Sequence, residues 1–337
     1  MGRLLAKCSG AVLAAALGVL LTAPPPPARA DPPAPGDVRS TVSGIEPPAP
    51  GVVAEIVGGD SFLRLRVQPG REVVVAGYED EPYLRFSPDG TVEANRRSPA
   101  ATVNESRFGA EPDPDADSGA PPAWEVVATD GSYEWHDHRA HWMAAGPPEP
   151  PERAWTVPIT IDGQPALITG VYRYEPPPRA WPRVVVAIGL AIGLVVAAGR
   201  WRWVVPAAAI AAAGGVAAYG VALARLPGGT TGVVTAILGG LAAAGAVAAA
   251  VGPRPLRGPL LGGAGAALLI AGWQHADVLS HSVLTTAWPE QLERLDVAVA
   301  LACGAAAIVT GVRQTWGVYQ PPGTSASASA GPQEPRT

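Results

Sequence analysis

Two adjacent apolar runs decide the fold class of this chain: residues 184–222 read VVVAIGLAIGLVVAAG-RWRW-VVPAAAIAAAGGVAAYGVA. Three more follow, over residues 231–251, 259–272 and 297–312. A helix needs about 20 apolar residues to cross the hydrocarbon core of a bilayer. We therefore predict an all-α transmembrane domain of about five helices over residues 179–315, surrounded by lipid. The fourth run is short, so it could instead be a re-entrant segment, which would reduce the number of spans to four.

The composition supports a membrane location and excludes one class of ligand. Only 16% of the residues are charged, against about 25% in average soluble domains. Residues 31–180 hold 24 acidic residues and 12 arginines. An acidic surface of this kind does not suit nucleic acid, whose phosphates require lysine and arginine, but it tolerates cations and basic partners.

Residues 1–30 have the features of a secretory signal peptide. Arg3 and Lys7 supply positive charge, residues 11–21 form an apolar core, and Ala28-Arg29-Ala30 is an A-x-A cleavage site. An uncleaved anchor helix is the alternative.

The orientation in the membrane can be predicted from the arginines. If Asp31 lies outside, the connections between helices that face inward carry five arginines and those that face outward carry two, which agrees with the positive-inside rule. We expect a multi-pass protein of the cell membrane with an extracytoplasmic N-terminal domain and a disordered cytoplasmic tail over residues 316–337.

The interiors of the five apolar runs are rich in small residues and lack ionisable ones. Alanine and glycine let helix backbones approach closely, so a compact bundle is expected. No Asp, Glu, Lys, Arg or His lies within residues 184–199, 203–222, 231–251, 259–272 or 297–312. Ion and proton pathways usually need such groups at membrane depth, which counts against a proton-coupled transporter.

Between the signal peptide and the helices, the chain is typical of an antiparallel β domain over residues 51–178, preceded by a Pro-rich linker over residues 31–50. Short runs such as Phe62–Val67 alternate at period two. Asp-Gly pairs at 89–90, 130–131 and 162–163 separate such runs, and this pair is a strong hairpin signal. Eight or so strands at this spacing predict an Ig-like sandwich. Both cysteines lie outside the domain, so burial alone must hold it together.

The run Trp135-His136-Asp137-His138-Arg139-Ala140-His141-Trp142 has the strongest chemical character in the sequence. In a strand His136 and His138 would share one face, and a turn at Arg139 would let His141 close a third position of a metal site. Imidazole suits copper, zinc, nickel and iron, and a thioether favours copper(I). The candidate ligands are His136, His138 and His141, with weaker candidates at Met143, His275 and His281.

A structural role for the same histidines is the competing hypothesis. Flanked by two tryptophans and alternating with Asp137 and Arg139, they could form a hydrogen-bonded network that braces the β domain near the headgroups of the bilayer. No enzyme motif supports catalysis: the chain has no H-E-x-x-H, C-x-x-C, phosphate loop or nucleophile elbow. We expect a protein that is not an enzyme.

Three segments resemble a group of actinobacterial membrane proteins: residues 135–143, 81–85 and 171–178. The resemblance implies the same layout of signal, outer β domain and membrane helices over nearly the whole chain, and it supplies no mechanism. Two functional hypotheses follow from the sequence. In the first, the outer β domain binds a transition metal, with copper favoured. In the second, it is an envelope module that binds a protein or polymer, and its histidines are structural.

Overall fold

The computed structural model describes residues 31–111, 113–144 and 146–319, and within them a β domain precedes five long helices. The predicted signal peptide and most of the predicted tail lie outside these residues. The ten strands are β1 Val38–Glu46, β2 Val52–Val57, β3 Phe62–Val67, β4 Val73–Ala76, β5 Pro82–Phe86, β6 Val92–Asn95, β7 Trp124–Ala128, β8 Ser132–Trp135, β9 Glu152–Ile161 and β10 Gln164–Tyr174. A short helix, α1 Pro99–Val103, follows β6.

The strands form two antiparallel sheets around one core. Seven pair in the order β1-β10-β9-β4-β5-β6-β7, and three pair in the order β2-β3-β8. Leu65 and Val67 of the small sheet pack in the same hydrophobic cluster as Leu84 and Phe86 of the large one. The antiparallel β domain is thus confirmed, whereas the Ig-like topology remains a prediction.

Local sequence explains most strand limits. At the Asp162-Gly163 turn both residues adopt positive φ (51° and 77°), as a two-residue type I′ hairpin requires, and Ile161 pairs with Gln164 across it. The linker prediction for residues 31–50 was wrong, because β1 occupies Val38–Glu46 and pairs with β10 at the edge of the large sheet. Pairing with β10 outweighs the high proline content on either side of this strand.

The five long helices are α2 Trp181–Ala198, α3 Val204–Ala224, α4 Thr230–Val251, α5 Arg254–Gln274 and α6 Glu290–Tyr319, and a 3₁₀ turn covers Ala276–Leu279. All five are long and apolar enough to cross a membrane. The fourth run belongs to α5, a helix of 21 residues, which is long enough to span a membrane.

Small residues bring the helix backbones together, as predicted. A Cβ placed on Gly265 of α5 would lie 2.6 Å from the Gly304 carbonyl oxygen of α6, and one on Gly258 would lie 2.6 Å from that of Gly311. At these distances only the hydrogen atom of a glycine fits between the two helices, so they pack backbone against backbone. In contrast, α2 has no buried residue and lies at the outside of the bundle.

Helix α6 begins earlier than the apolar run that predicted it. The run starts at Val297, but the helix starts at Glu290, so two more turns carry Glu293, Arg294 and Asp296 along the bundle. Glu293 and Arg294 are buried there. The absence of ionisable residues is therefore a property of the apolar run and does not extend to the first two turns of α6.

Candidate functional site

The histidine run lies in a loop, because β8 ends at Trp135. Asp137 organises this loop. Its Oδ2 accepts the indole N–H of Trp135 at 2.9 Å, and its Oδ1 accepts the backbone N–H and Nε–H of Arg139 at 3.1 and 2.9 Å. Arg139 also donates to the carbonyl oxygens of Gly77 and Ala76. The chain therefore turns over residues 137–140, around Arg139. His136 and His138 do not lie in a strand, so the argument that a strand would place them on one face does not apply.

His136 is fully buried and neutral. Its ring stacks on Phe62 with 4.2 Å between ring centroids, and Nδ1–H donates to the Ser61 carbonyl oxygen at 2.6 Å. The other ring nitrogen, Nε2, lies 3.3 Å from the Asp31 carbonyl oxygen. Burial lowers the pKa of His136 to about 4, because a low-dielectric site disfavours the charged imidazolium. The ring thus acts as a packed hydrogen-bond donor.

His138 and His141 bind to different segments. His138 Nε2–H donates to the Ser106 carbonyl oxygen at 2.9 Å. His141 is 3% exposed, and its Nδ1 lies 2.9 Å from Asp60 Oδ2. Two of the three imidazoles therefore bind the turn at residues 58–61, His136 through Ser61 and His141 through Asp60. His138 binds the loop at 105–109, and the second ring nitrogen of His136 faces the segment that begins at Asp31.

A buried ion pair completes this histidine network. Arg107 Nη2 donates to Asp60 Oδ1 at 2.7 Å, and Nη1 donates to Ser61 Oγ at 2.8 Å and to the Ala34 carbonyl oxygen at 3.1 Å. Both partners of the pair are less than 10% exposed. A buried acid held by one arginine and one histidine is a costly arrangement unless every oxygen is satisfied, and here both carboxylate oxygens are.

The predicted metal ligands do not come together in one place. Met143 is 39% exposed, His281 pairs with Asp37 at 3.1 Å, and His275 lies in the bundle with Nε2 at 2.8 Å from Thr235 Oγ1. Over residues 31–111, 113–144 and 146–319, no group of three or more His, Cys, Asp or Glu side chains is arranged to hold a metal ion.

The turn at residues 58–61 also contacts the bundle, through residues 281–284, which we name the docking segment. A Cβ on Gly59 would lie 3.1 Å from the Leu284 carbonyl oxygen and 3.3 Å from Val283 Cγ1. Gly36 and Val283 exchange two backbone hydrogen bonds, at 3.0 and 2.9 Å. The histidine network therefore lies directly behind the turn that meets the membrane helices.

Polar groups fix the docking segment from both sides. Asp37 accepts the Ser282 backbone N–H at 3.0 Å, and Ser282 Oγ donates to the Glu175 carbonyl oxygen at 2.6 Å. From the bundle, Arg294 donates to the carbonyl oxygens of His281 and Ser282 at 2.7 and 3.0 Å. Arg39 of β1 bridges both parts, since it pairs with Glu175 and with Glu290 of α6.

Beneath the docking segment, a second polar cluster lies between the helices. Glu293 is fully buried and accepts the Thr286 hydroxyl, and the Tyr219 hydroxyl of α3 faces the same carboxylate. Glu293 Oε2 has no hydrogen-bond partner among the described residues. One turn further along α6, Asp296 contacts α3 so closely that a Cβ on Gly215 would lie 2.0 Å from its Oδ1.

Sequence reasoning found the histidines but missed their partners. Asp60 and Arg107 lie in stretches with no motif that marks a functional residue, and Glu293 lies outside the apolar run. These residues are distant in sequence, and only the fold brings them together. No protein-family model, curated protein or solved structure matches the chain.

Proposed function

We propose that this chain is a membrane protein of the cell envelope that is not an enzyme, and that its extracytoplasmic β domain is an interaction module with architectural histidines. The observation that carries the proposal is that every imidazole of the histidine network has a ring nitrogen bound to an oxygen of the chain: Ser61 for His136, Ser106 for His138 and Asp60 for His141. A metal site would instead require two or three imidazole nitrogens to converge on one point. The arginine-rich inward connections and the signal peptide predicted at residues 1–30 support the sidedness.

The histidine network gives the module a fixed position on the bundle. It immobilises the turn at residues 58–61, and that turn contacts Val283 and Leu284 of the docking segment. A partner that binds the β domain would therefore exert a force on α5 and α6, the helices on either side of the docking segment. The resemblance to actinobacterial membrane proteins is consistent with this layout.

The recognition surface that we favour is a groove of about 730 Å³ on the large sheet. Its walls are mainly apolar, from Val74, Pro158, Pro165 and Leu167, and the exposed acids Glu46 and Asp80 contribute to its lining. The β domain as a whole is acidic. A basic, extended polypeptide segment fits this combination of apolar contact and negative charge.

Metal titration of the full chain in detergent distinguishes the two hypotheses from the sequence. Calorimetry with copper and zinc, on the parent and on His136→Asn/His141→Asn, is the experiment. We expect no tight stoichiometric binding and a less stable variant. Tight one-to-one binding to the parent that is lost in the variant would instead establish the transition-metal hypothesis, with copper as the favoured ion.

The groove has a separate test. Fluorescence anisotropy with a short arginine- and proline-rich peptide should show weaker binding to Glu46→Gln/Asp80→Asn than to the parent. Asp89→Asn is the matched control, because Asp89 is an exposed acid in the turn between β5 and β6. Equal losses in both variants would mean that only the overall charge of the domain attracts the peptide.

A second candidate function, proton uptake at the domain-facing end of the bundle, is favoured by the buried Glu293. Ionisable groups between membrane helices are functional candidates by default. Glu293 is in contact with Thr286, Tyr219 and Arg294. Tyr219 in turn lies near Asp296, Asp277 of the 3₁₀ turn and His275. Proteoliposomes loaded with a pH-sensitive dye should acidify under an imposed potential with the parent and not with Glu293→Gln. Glu290→Gln is the control, since Glu290 is half-exposed.

A further inference from the structure

The end of the bundle opposite the docking segment carries a cluster of positive charge without acidic partners. Residues 199–203, 252–257 and 313–319 contain five arginines and no Asp or Glu. Trp201, Trp203 and Trp316 are 60%, 47% and 72% exposed at this end, which is typical of side chains at the headgroup level of a bilayer. The arginines therefore lie where phospholipid phosphates are found.

Two of these arginines line a cleft between the helices. The cleft is small, with a volume of about 40 Å³, and is bordered by Arg202 and Trp203, by Arg257 and Leu261 of α5, and by Gln314 of α6. Arg202 lies over the Trp203 ring at 4.3 Å from its centroid, and Arg257 Nε donates to the Gly252 carbonyl oxygen at 2.9 Å. Both guanidinium groups are thus positioned by the protein and retain further N–H donors.

The starts of two helices add to the positive potential. Helices α3 and α5 begin at Val204 and Arg254, beside the cleft, and neither has a side-chain cap on its first turn. The first N–H groups of a helix carry a partial positive charge and attract anions. In these two first turns Pro206 and Pro255 lack an N–H, and the N–H groups of Val204 and Leu256 already bind backbone oxygens. The two guanidinium groups, which match phosphate geometry, are therefore the main hydrogen-bond donors available to an anion in the cleft.

We infer that this cleft binds the phosphate of an anionic phospholipid and so fixes the arginine-rich end of the bundle to one leaflet. Basic pockets between membrane helices recognise headgroups in this way. The proposal is independent of the function assigned to the β domain. Free inorganic phosphate has the same chemistry, and the experiment separates the two sources.

The experiment is thermal unfolding of the delipidated full chain in detergent, with phosphatidylglycerol, phosphatidylcholine of the same acyl chains, or inorganic phosphate added. We expect stabilisation by phosphatidylglycerol alone. In Arg202→Gln/Arg257→Gln the apparent affinity should fall about tenfold for each charge-assisted hydrogen bond lost. Arg225→Gln, which removes an exposed arginine from the opposite end, should leave the affinity unchanged.

Each outcome decides the proposal. Stabilisation by inorganic phosphate that is lost in the double variant would confirm a phosphate site and assign it to a soluble anion. Equal stabilisation by the two lipids, or an undiminished response of the double variant, would overturn it. If the double variant does not fold, the comparison of the two lipids on the parent still decides. Both lipids carry a phosphodiester and only phosphatidylglycerol has a net negative charge, so a cleft that does not select an anionic headgroup would not distinguish them.

Discussion

The titration of His136 gives the sharpest test of the histidine network. Its pKa lies at about 4 in the folded chain against 6.5 for an ordinary histidine. Below pH 6.5 the unfolded chain binds a proton at His136, whereas the folded chain binds this proton only below about pH 4. The stability is therefore complete above pH 6.5 and falls as the pH is lowered through this window. The pKa difference corresponds to about 3 kcal/mol.

The assay is thermal unfolding of the full chain between pH 7.5 and pH 4, followed by tryptophan fluorescence. For a domain of this size, about 3 kcal/mol lowers the midpoint by roughly 6–12 °C. His136→Asn keeps a donor for the Ser61 carbonyl oxygen and does not titrate. It should cost about 1–3 kcal/mol at pH 7 through lost contact with Phe62, and should flatten the profile between pH 6.5 and 4.

Carboxylates also titrate near pH 4, so the difference between parent and variant is the decisive quantity. His281→Asn is the control, because His281 is a partly exposed histidine that pairs with Asp37 in the docking segment. This control should retain the steep loss below pH 6.5. If the His136→Asn profile is as steep as that of the parent, His136 is protonated in the folded chain and the reasoning from burial is refuted.

Three further predictions concern the contact between domain and bundle. Arg107→Met leaves the buried aspartate that it pairs with uncompensated and should destabilise the β domain by about 3–5 kcal/mol, measured by chemical unfolding. Gly59→Ala should increase hydrogen exchange in the docking segment more than Gly70→Ala does; both glycines have positive φ, but only Gly59 has atoms of the bundle within 4 Å. Cysteines at Gly36 and Val283 should form a disulfide on mild oxidation, since residues that exchange two backbone hydrogen bonds have Cα atoms about 5.5 Å apart.

Local sequence patterns predicted most of the elements because their information is local. The strand Phe62–Val67 has the predicted limits, since period-two alternation and turn residues act over a few positions. Local sequence patterns did not predict strand β1, because this strand is stabilised by pairing with β10, which lies more than a hundred positions away in the sequence. They also failed at the start of α6, because hydropathy does not register acids that are buried by other helices.

The sequence by itself determined the composition of the two parts, the lengths of the apolar helices and the cluster of three histidines. Only the tertiary structure decided what those histidines do. Asp60, Ser61 and Arg107 come from other loops, and their positions depend on how the two sheets pack. A buried polar group forms a hydrogen bond with whichever partner the fold places beside it, because the free-energy cost of leaving it unpaired exceeds the energy of local conformational preferences. The directions of the imidazoles are therefore properties of the fold, although their presence is a property of the sequence.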